Sequence, residues 1–182
     1  LFTANGHVQI GIEQTQDGIY YREPSHLFLN DGDGQFFDIV PSINGPLAKP
    51  IVGRGASYSD YDKNGTLDIL VTENNGPVHL FRNDNNKNNF LRVNIKSTTG
   101  NRSGLSAKLV GITKNKRMDR RVKTGSSFMS HSETTVTFGL GGEKSLDSLY
   151  IYWPNGSMES FHNIHGGKEI NITEGQGNLV VQ

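Results

Sequence analysis

His26-Leu27-Phe28-Leu29-Asn30-Asp31 returns 53 residues later as His79-Leu80-Phe81-Arg82-Asn83-Asp84, and Thr3-Ala4-Asn5-Gly6 is echoed by Thr72-Glu73-Asn74-Asn75-Gly76. An internal repeat of this length, built from short apolar runs and Asn/Gly turns, predicts small antiparallel sheets of the propeller-blade kind. A helical solenoid would instead space its apolar residues at i, i+3 and i+4, and this repeat does not. About two incomplete blades are expected between residues 1 and 88.

Beyond residue 88 the repeat ends and a strict two-residue alternation takes over. Leu91, Val93 and Ile95 alternate with Arg92, Asn94 and Lys96; Val136, Phe138 and Leu140 with Thr135, Thr137 and Gly139; Leu149, Ile151 and Trp153 with Tyr150 and Tyr152. That is the period of a half-buried strand. Further strands are expected near 106–113, 119–124, 158–162, 168–173 and 178–181. Turn signals separate them at Thr99-Gly100-Asn101, Gly139-Leu140-Gly141-Gly142, Pro154-Asn155-Gly156 and Gly166-Gly167. Roughly eight short strands in 90 residues predict a β-sandwich over 89–182, with Asn83 to Asn89 as the linker. The fold class is therefore all-β: a partial propeller-type repeat region followed by a sandwich. The 34% hydrophobic content and 22 glycines in 182 residues suit many strands and turns better than long helices.

Lys plus Arg and Asp plus Glu both number 18, so no overall field draws nucleic acid or an anionic membrane. The chain has no cysteine, which removes disulfides and thiolate metal sites and leaves oxygen or imidazole as possible ligands. No apolar run reaches the roughly 20 residues that span a bilayer. The opening Leu1-Phe2-Thr3, without an initiator Met, leads us to expect a piece of something longer.

Asp60-Tyr61-Asp62-Lys63-Asn64-Gly65-Thr66-Leu67-Asp68 sets oxygen side chains at relative positions 1, 3, 5 and 9 with glycine at 6. Calcium takes six to eight hard oxygen ligands, and a tight loop supplies them when alternate residues point inward. Asp60, Asp62, Asn64 and Asp68 are the candidate side-chain ligands, Thr66 the candidate backbone carbonyl, and Gly65 the bend. A helix-loop-helix site needs a glutamate at position 12. Here that position is Val71, inside the apolar run Ile69-Leu70-Val71, so the loop feeds a strand. A plain Asp/Asn/Gly turn without an ion is the alternative reading.

Arg54-Gly55-Ala56, the loop Asp60 to Asp68 and Leu80-Phe81-Arg82-Asn83 together resemble the FG-GAP or VCBS repeat of integrin-like propellers, in which such a loop holds calcium. Residues 90–174 resemble the ASPIC/UnbV domain that follows these repeats in bacterial surface proteins. The likeness rests on Asn101-Arg102-Ser103-Gly104, Gly125-Ser126-Ser127-Phe128, Phe138-Gly139-Leu140-Gly141 and Tyr152-Trp153-Pro154-Asn155-Gly156. Two departures stand out. Gly104-Leu105-Ser106-Ala107 replaces a family pattern close to G-I-G-A. The first repeat keeps Asn30-Asp31-Gly32-Asp33-Gly34 without a calcium loop, which would lie before Leu1.

The resemblance implies a non-catalytic, calcium-binding module of an exported, extracellular or cell-surface protein. Its partner would be a glycan or an extracellular protein, with self-association through exposed blade edges as a further expectation. A carbohydrate-active enzyme or its accessory domain, and a structural cap of a propeller, are the alternatives. No G-x-S-x-G elbow or H-E-x-x-H helix occurs. Asn30 to Gly34 reads as a tight hairpin turn. The basic run Lys114, Lys116, Arg117, Arg120, Arg121 and Lys123 reads as a solvated hairpin, although it could grip a sulfated or uronic glycan. Trp153 is expected in the core, Tyr150 and Tyr152 on the opposite face as a partner surface, and the six histidines at the surface or in turns.

Overall fold

The computed structural model describes residues 1–43, 45–85 and 87–179. The chain is all-β, with fourteen strands and only short helical turns among the described residues. It forms two compact units, one of Leu1–Ser59, Asp68–Arg82 and Ser126–His131, the other of Asp60–Leu67, Asn83–Gly125 and Ser132–Gln182. The units interleave in sequence.

The first unit holds two three-stranded antiparallel sheets. One is β1 (Phe2–Thr3), β2 (His26–Asn30) and β3 (Phe36–Asp38), followed by the single helical turn α1 (Val40–Ile43); the other is β4 (Gly53–Ser59), β5 (Asp68–Glu73) and β6 (Val78–Phe81). The repeated hexapeptide falls on a strand in both sheets, the central strand β2 of one and the edge strand β6 of the other. Leu27 of β2 pairs with Phe2, and Leu80 of β6 with Leu70. In each copy the histidine lies near the phenylalanine two residues on, with ring centroids 5.6 Å apart for His26 and Phe28 and 6.1 Å for His79 and Phe81. Each is also tied to a carboxylate: His26 Nδ1 to Asp38 Oδ2 at 2.6 Å, His79 Nε2 to Glu73 Oε2 at 2.8 Å.

These two histidines depart from the expectation of surface and turn positions, because a half-buried imidazole in a strand requires a polar partner. The hydrogen bond from His26 holds the Asp38 carboxyl below its ordinary range, and that from His79 does the same for Glu73. Asn30 to Gly34 forms the β2–β3 turn as expected, with Asn30 Oδ1 accepting from Gly32 N at 2.7 Å and Asp31 Oδ1 from Asp33 N at 2.8 Å. The buried apolar residues of this unit are Ile12, Val40, Ile51, Val52 and Val71.

The second unit contains β7 (Asn89–Lys96), β8 (Lys108–Thr113), β9 (Lys116–Arg121), β10 (Val136–Gly141), β11 (Ser145–Tyr152), β12 (Met158–His165), β13 (Lys168–Thr173) and β14 (Asn178–Leu179). They form a three-stranded sheet in the order β10-β7-β13 and a five-stranded sheet in the order β14-β12-β11-β8-β9. Among the described residues only the β7–β13 pair is parallel. Both sheets send alternate residues into one core, among them Leu91, Val93 and Ile95 from β7, Phe138 from β10, and Leu149 and Ile151 from β11. Trp153 joins it, as the alternation predicts, at 3% exposure.

The expected strands thus form, with the one expected near 119–124 lying at Lys116–Arg121 and the last extending only over residues 178 and 179; Val180 and Val181, and Asn86 of the expected linker, lie outside the described residues. The basic run makes the β8–β9 turn and the sheet's edge strand. Glycine is needed at Gly104, where φ is +62° and a Cβ would sit 2.5 Å from Ile95 Cδ1. Two residues on, where the family pattern has glycine, Ser106 takes the same left-handed conformation at φ 75°. The departure therefore keeps the turn and places in it a side chain that disfavours it.

Candidate metal centre

The loop between β4 and β5 folds inward around its own carboxylates. Asp60 Oδ1 accepts from Asn64 N at 3.0 Å and its Oδ2 from Gly65 N at 2.9 Å, while Asp62 Oδ1 accepts from Asn64 N at 3.2 Å. Asn64 Oδ1 accepts from Thr66 N at 2.8 Å, and Thr66 Oγ1 lies 2.6 Å from the same oxygen. These short-range bonds are the alternatives that Asp and Asn offer the backbone in place of a sheet ladder. Two residues take positive φ to make the bend, Lys63 at 59° and Gly65 at 92°. A Cβ on Gly65 would meet the Phe90 ring at 2.0 Å, so glycine is required both by conformation and by the ring against it.

The folding brings Asp60, Asp62 and Asp68 together, each with a carboxylate oxygen within 4.8 Å of the others. Asp60 and Asp68 are buried and Asp62 is exposed. Every candidate donor is a hard oxygen, the ligand type calcium prefers. Asn64 sits among them with its amide oxygen turned to Thr66, and the Thr66 hydroxyl reaches the Asn83 carbonyl.

Sequence reasoning missed the residues that hold this loop from outside. Arg92, on β7 and 3% exposed, places Nη1 3.3 Å from Asp60 Oδ2. The same guanidinium donates to Glu133 through Nη1 at 3.0 Å and Nη2 at 2.8 Å, to Glu169 through Nε at 3.1 Å, and to Thr137 Oγ1 at 3.1 Å. Burial alone would lower its pKa, but the hydrogen bonds to Glu133 and Glu169 and the charge of Asp60 carry it above the ordinary arginine value. The start of the expected linker is held as well, since the Asn83 carbonyl also accepts from Asn64 Nδ2 at 3.1 Å. In the sequence Arg92 is simply the polar member of an alternating strand. Only the partners around it distinguish it from Asn94 or Lys96.

Residues 97–179 match the family described as ASPIC and UnbV. The chain is also similar to cartilage acidic protein 1 of Homo sapiens, at 31% identity over 127 residues that make up 67% of this chain and 19% of that protein. The Mus musculus protein of the same name is 32% identical over 113 residues, and that of Xenopus tropicalis 32% over 111, each match covering 17% of the relative. The chain thus spans less than a fifth of the length of these curated relatives. Within the ASPIC and UnbV segment, Glu174 gathers hydrogen bonds from Ser97 Oγ at 2.7 Å, Thr98 N at 2.8 Å, Thr99 Oγ1 and Asn155 Nδ2 at 2.7 Å to its other oxygen. Partial burial pushes this carboxyl up, but the donors outweigh it and pull it from 4.5 to about 2.

Proposed function

We propose that this chain is a non-catalytic, calcium-binding module of an exported protein, used extracellularly for adhesion or for recognising a glycan or protein partner. In this reading residues 1–88 are FG-GAP/VCBS-like blades, and the ion is held by Asp60, Asp62, Asn64 and Asp68 with the Thr66 carbonyl. The observation that carries it is the convergence of three carboxylates within 4.8 Å, two of them buried. Arg92 supplies one positive charge at Asp60, whereas three clustered carboxylates repel one another and are best relieved by a divalent cation. A carboxylate has room for both, since it offers about four lone-pair sites.

Loops of this kind in extracellular modules bind calcium with dissociation constants of roughly 10⁻⁴ to 10⁻³ M. At ten times that constant, linkage stabilises the folded chain by about 1.4 kcal/mol. Melting curves in calcium, magnesium and chelator test this. Calcium should raise the midpoint by several degrees and magnesium by less, because magnesium demands octahedral geometry and keeps its water. Asp62→Ala and Asp68→Ala should each remove the calcium shift, while Asp33→Ala, in the β2–β3 turn, should leave it. A midpoint indifferent to calcium would reduce the loop to a turn.

A further inference from the structure

The outer face of the five-stranded sheet collects cations and aromatic rings that lie apart in sequence. On β8, β9 and β11 the positions of Leu109, Met118, Leu149 and Ile151 enter the core, so the alternate positions stand on the other face. Strand register then sets Arg121 opposite Lys108 and Lys108 opposite Tyr152, one row across three strands. In the next row Tyr150 lies between Val110 and Ser160. The contacts follow this placement. Lys108 Nζ is 5.9 Å from the centroid of the Tyr152 ring and 3.1 Å from Asp119 Oδ2, and Arg117 Nε is 3.2 Å from Asp119 Oδ1. Tyr150 meets the His162 ring edge to face at 6.4 Å.

Two features of this face bear on what it can bind. Like charges directly opposite on neighbouring strands are destabilising, and Lys108 and Arg121 are so placed. Arg121 is exposed and makes no ion pair among the described residues. Leu149 and Ile151 carry β11 into the core, while on the other face Tyr150 lies between buried Val110 and Ser160 and Tyr152 stands half-buried beside Lys108.

We propose that this face binds a polysaccharide bearing uronic-acid carboxylates, an inference that rests on the recognition reading above and names its ligand class. The apolar face of a sugar ring stacks on Tyr152, and a carboxylate bridges the Arg121 guanidinium and the Lys108 ammonium, relieving their repulsion. Charge complementarity selects this ligand. A neutral glycan offers Arg121 no counter-charge, and a densely sulfated one carries more negative charge than this face can match, because Asp119 already neutralises part of the charge of Lys108 and Arg117.

Titration of the full 182-residue chain with oligogalacturonate, followed by calorimetry in chelator and again with calcium replaced, tests the proposal apart from the metal loop. Binding should persist in chelator. Arg121→Gln and Tyr152→Ala should each weaken it by roughly tenfold, the scale of one lost charge-assisted hydrogen bond, with unchanged melting. Tyr152→Phe should retain most of the affinity, and Lys168→Gln, on β13 of the other sheet, should retain all of it. Undiminished binding by Arg121→Gln and Tyr152→Ala would overturn the face while sparing the recognition reading. Equal affinity for dextran, or tighter binding of heparin, would overturn the uronate assignment. Failure to bind any of the three polymers would overturn the proposal, and a protein partner found by other means would then leave the broader reading standing.

Discussion

The two units bury very different amounts of apolar surface for the same kind of secondary structure. Among the described residues the sandwich closes fifteen buried residues into one core, from Leu91 to Ile172. The paired three-stranded sheets keep Ile12, Val40, Ile51, Val52 and Val71 inside while leaving Leu29, Phe36, Phe37, Val78 and Leu80 at least half exposed. A sheet needs a second layer against its apolar face, and the sandwich supplies its own. Among the described residues the three-stranded sheets leave more large apolar side chains exposed. Local pairing makes strands in both units, and the larger buried apolar cluster lies in the sandwich.

The sharpest way to break this contrast is to separate the parts. Residues 89–182 alone should melt cooperatively, and residues 1–88 alone should aggregate or lack a sigmoidal transition. A monomeric, cooperatively melting 1–88 would remove the distinction. Within the intact chain, Phe138→Ala empties a fully buried site and should cost about 3–5 kcal/mol, whereas Leu80→Ala, at 50% exposure, should stay within about 0.5 kcal/mol. Denaturant unfolding followed by Trp153 fluorescence reads the sandwich directly, because this is the chain's single tryptophan and lies in its core.

Arg92→Ala should come next, at about 3 kcal/mol, since it takes a buried guanidinium away from Glu133, Glu169 and Asp60. If Arg92→Ala proved neutral, the polar cluster on β7 would be incidental to the unit's stability. Acid should act on the sandwich through Glu174. Its folded pKa of about 2 lies below the ordinary 4.5, so its contribution is complete above pH 4.5 and fades as the pH falls toward 2. Glu174→Gln should flatten the stability profile between those limits, and an unchanged profile would refute the assignment. The smallest effect is expected from Ser106→Gly, which relieves a left-handed serine and should stabilise by about 0.5–1 kcal/mol, read as a small rise in melting midpoint.

Much was legible from residue order because both signals are local. The alternation through Leu91, Val93 and Ile95 names the face each side chain takes, since a strand turns successive residues to opposite sides whatever lies beyond it. The repeat around His26 and His79 likewise predicts a strand in each copy, and both form, with Leu27 opposite Phe2 and Leu80 opposite Leu70. The spacing of Asp60, Asp62 and Asp68 predicted carboxylates on the inside of one bend, and they do converge.

What residue order left open are the pairings that depend on distant strands meeting. Arg92 is 41 positions from Glu133 and 77 from Glu169, and nothing in a two-residue period says that β7 is the middle strand of its sheet. Arg121 and Tyr152 likewise become neighbours in one row only because β8 lies between β9 and β11. The chain by itself determined the strands, the inward faces and the acidic bend, all fixed by backbone geometry over a few residues. The tertiary structure alone decided which charges are buried together and which stand exposed side by side, because those depend on sheet order, which is selected by the packing of the whole core.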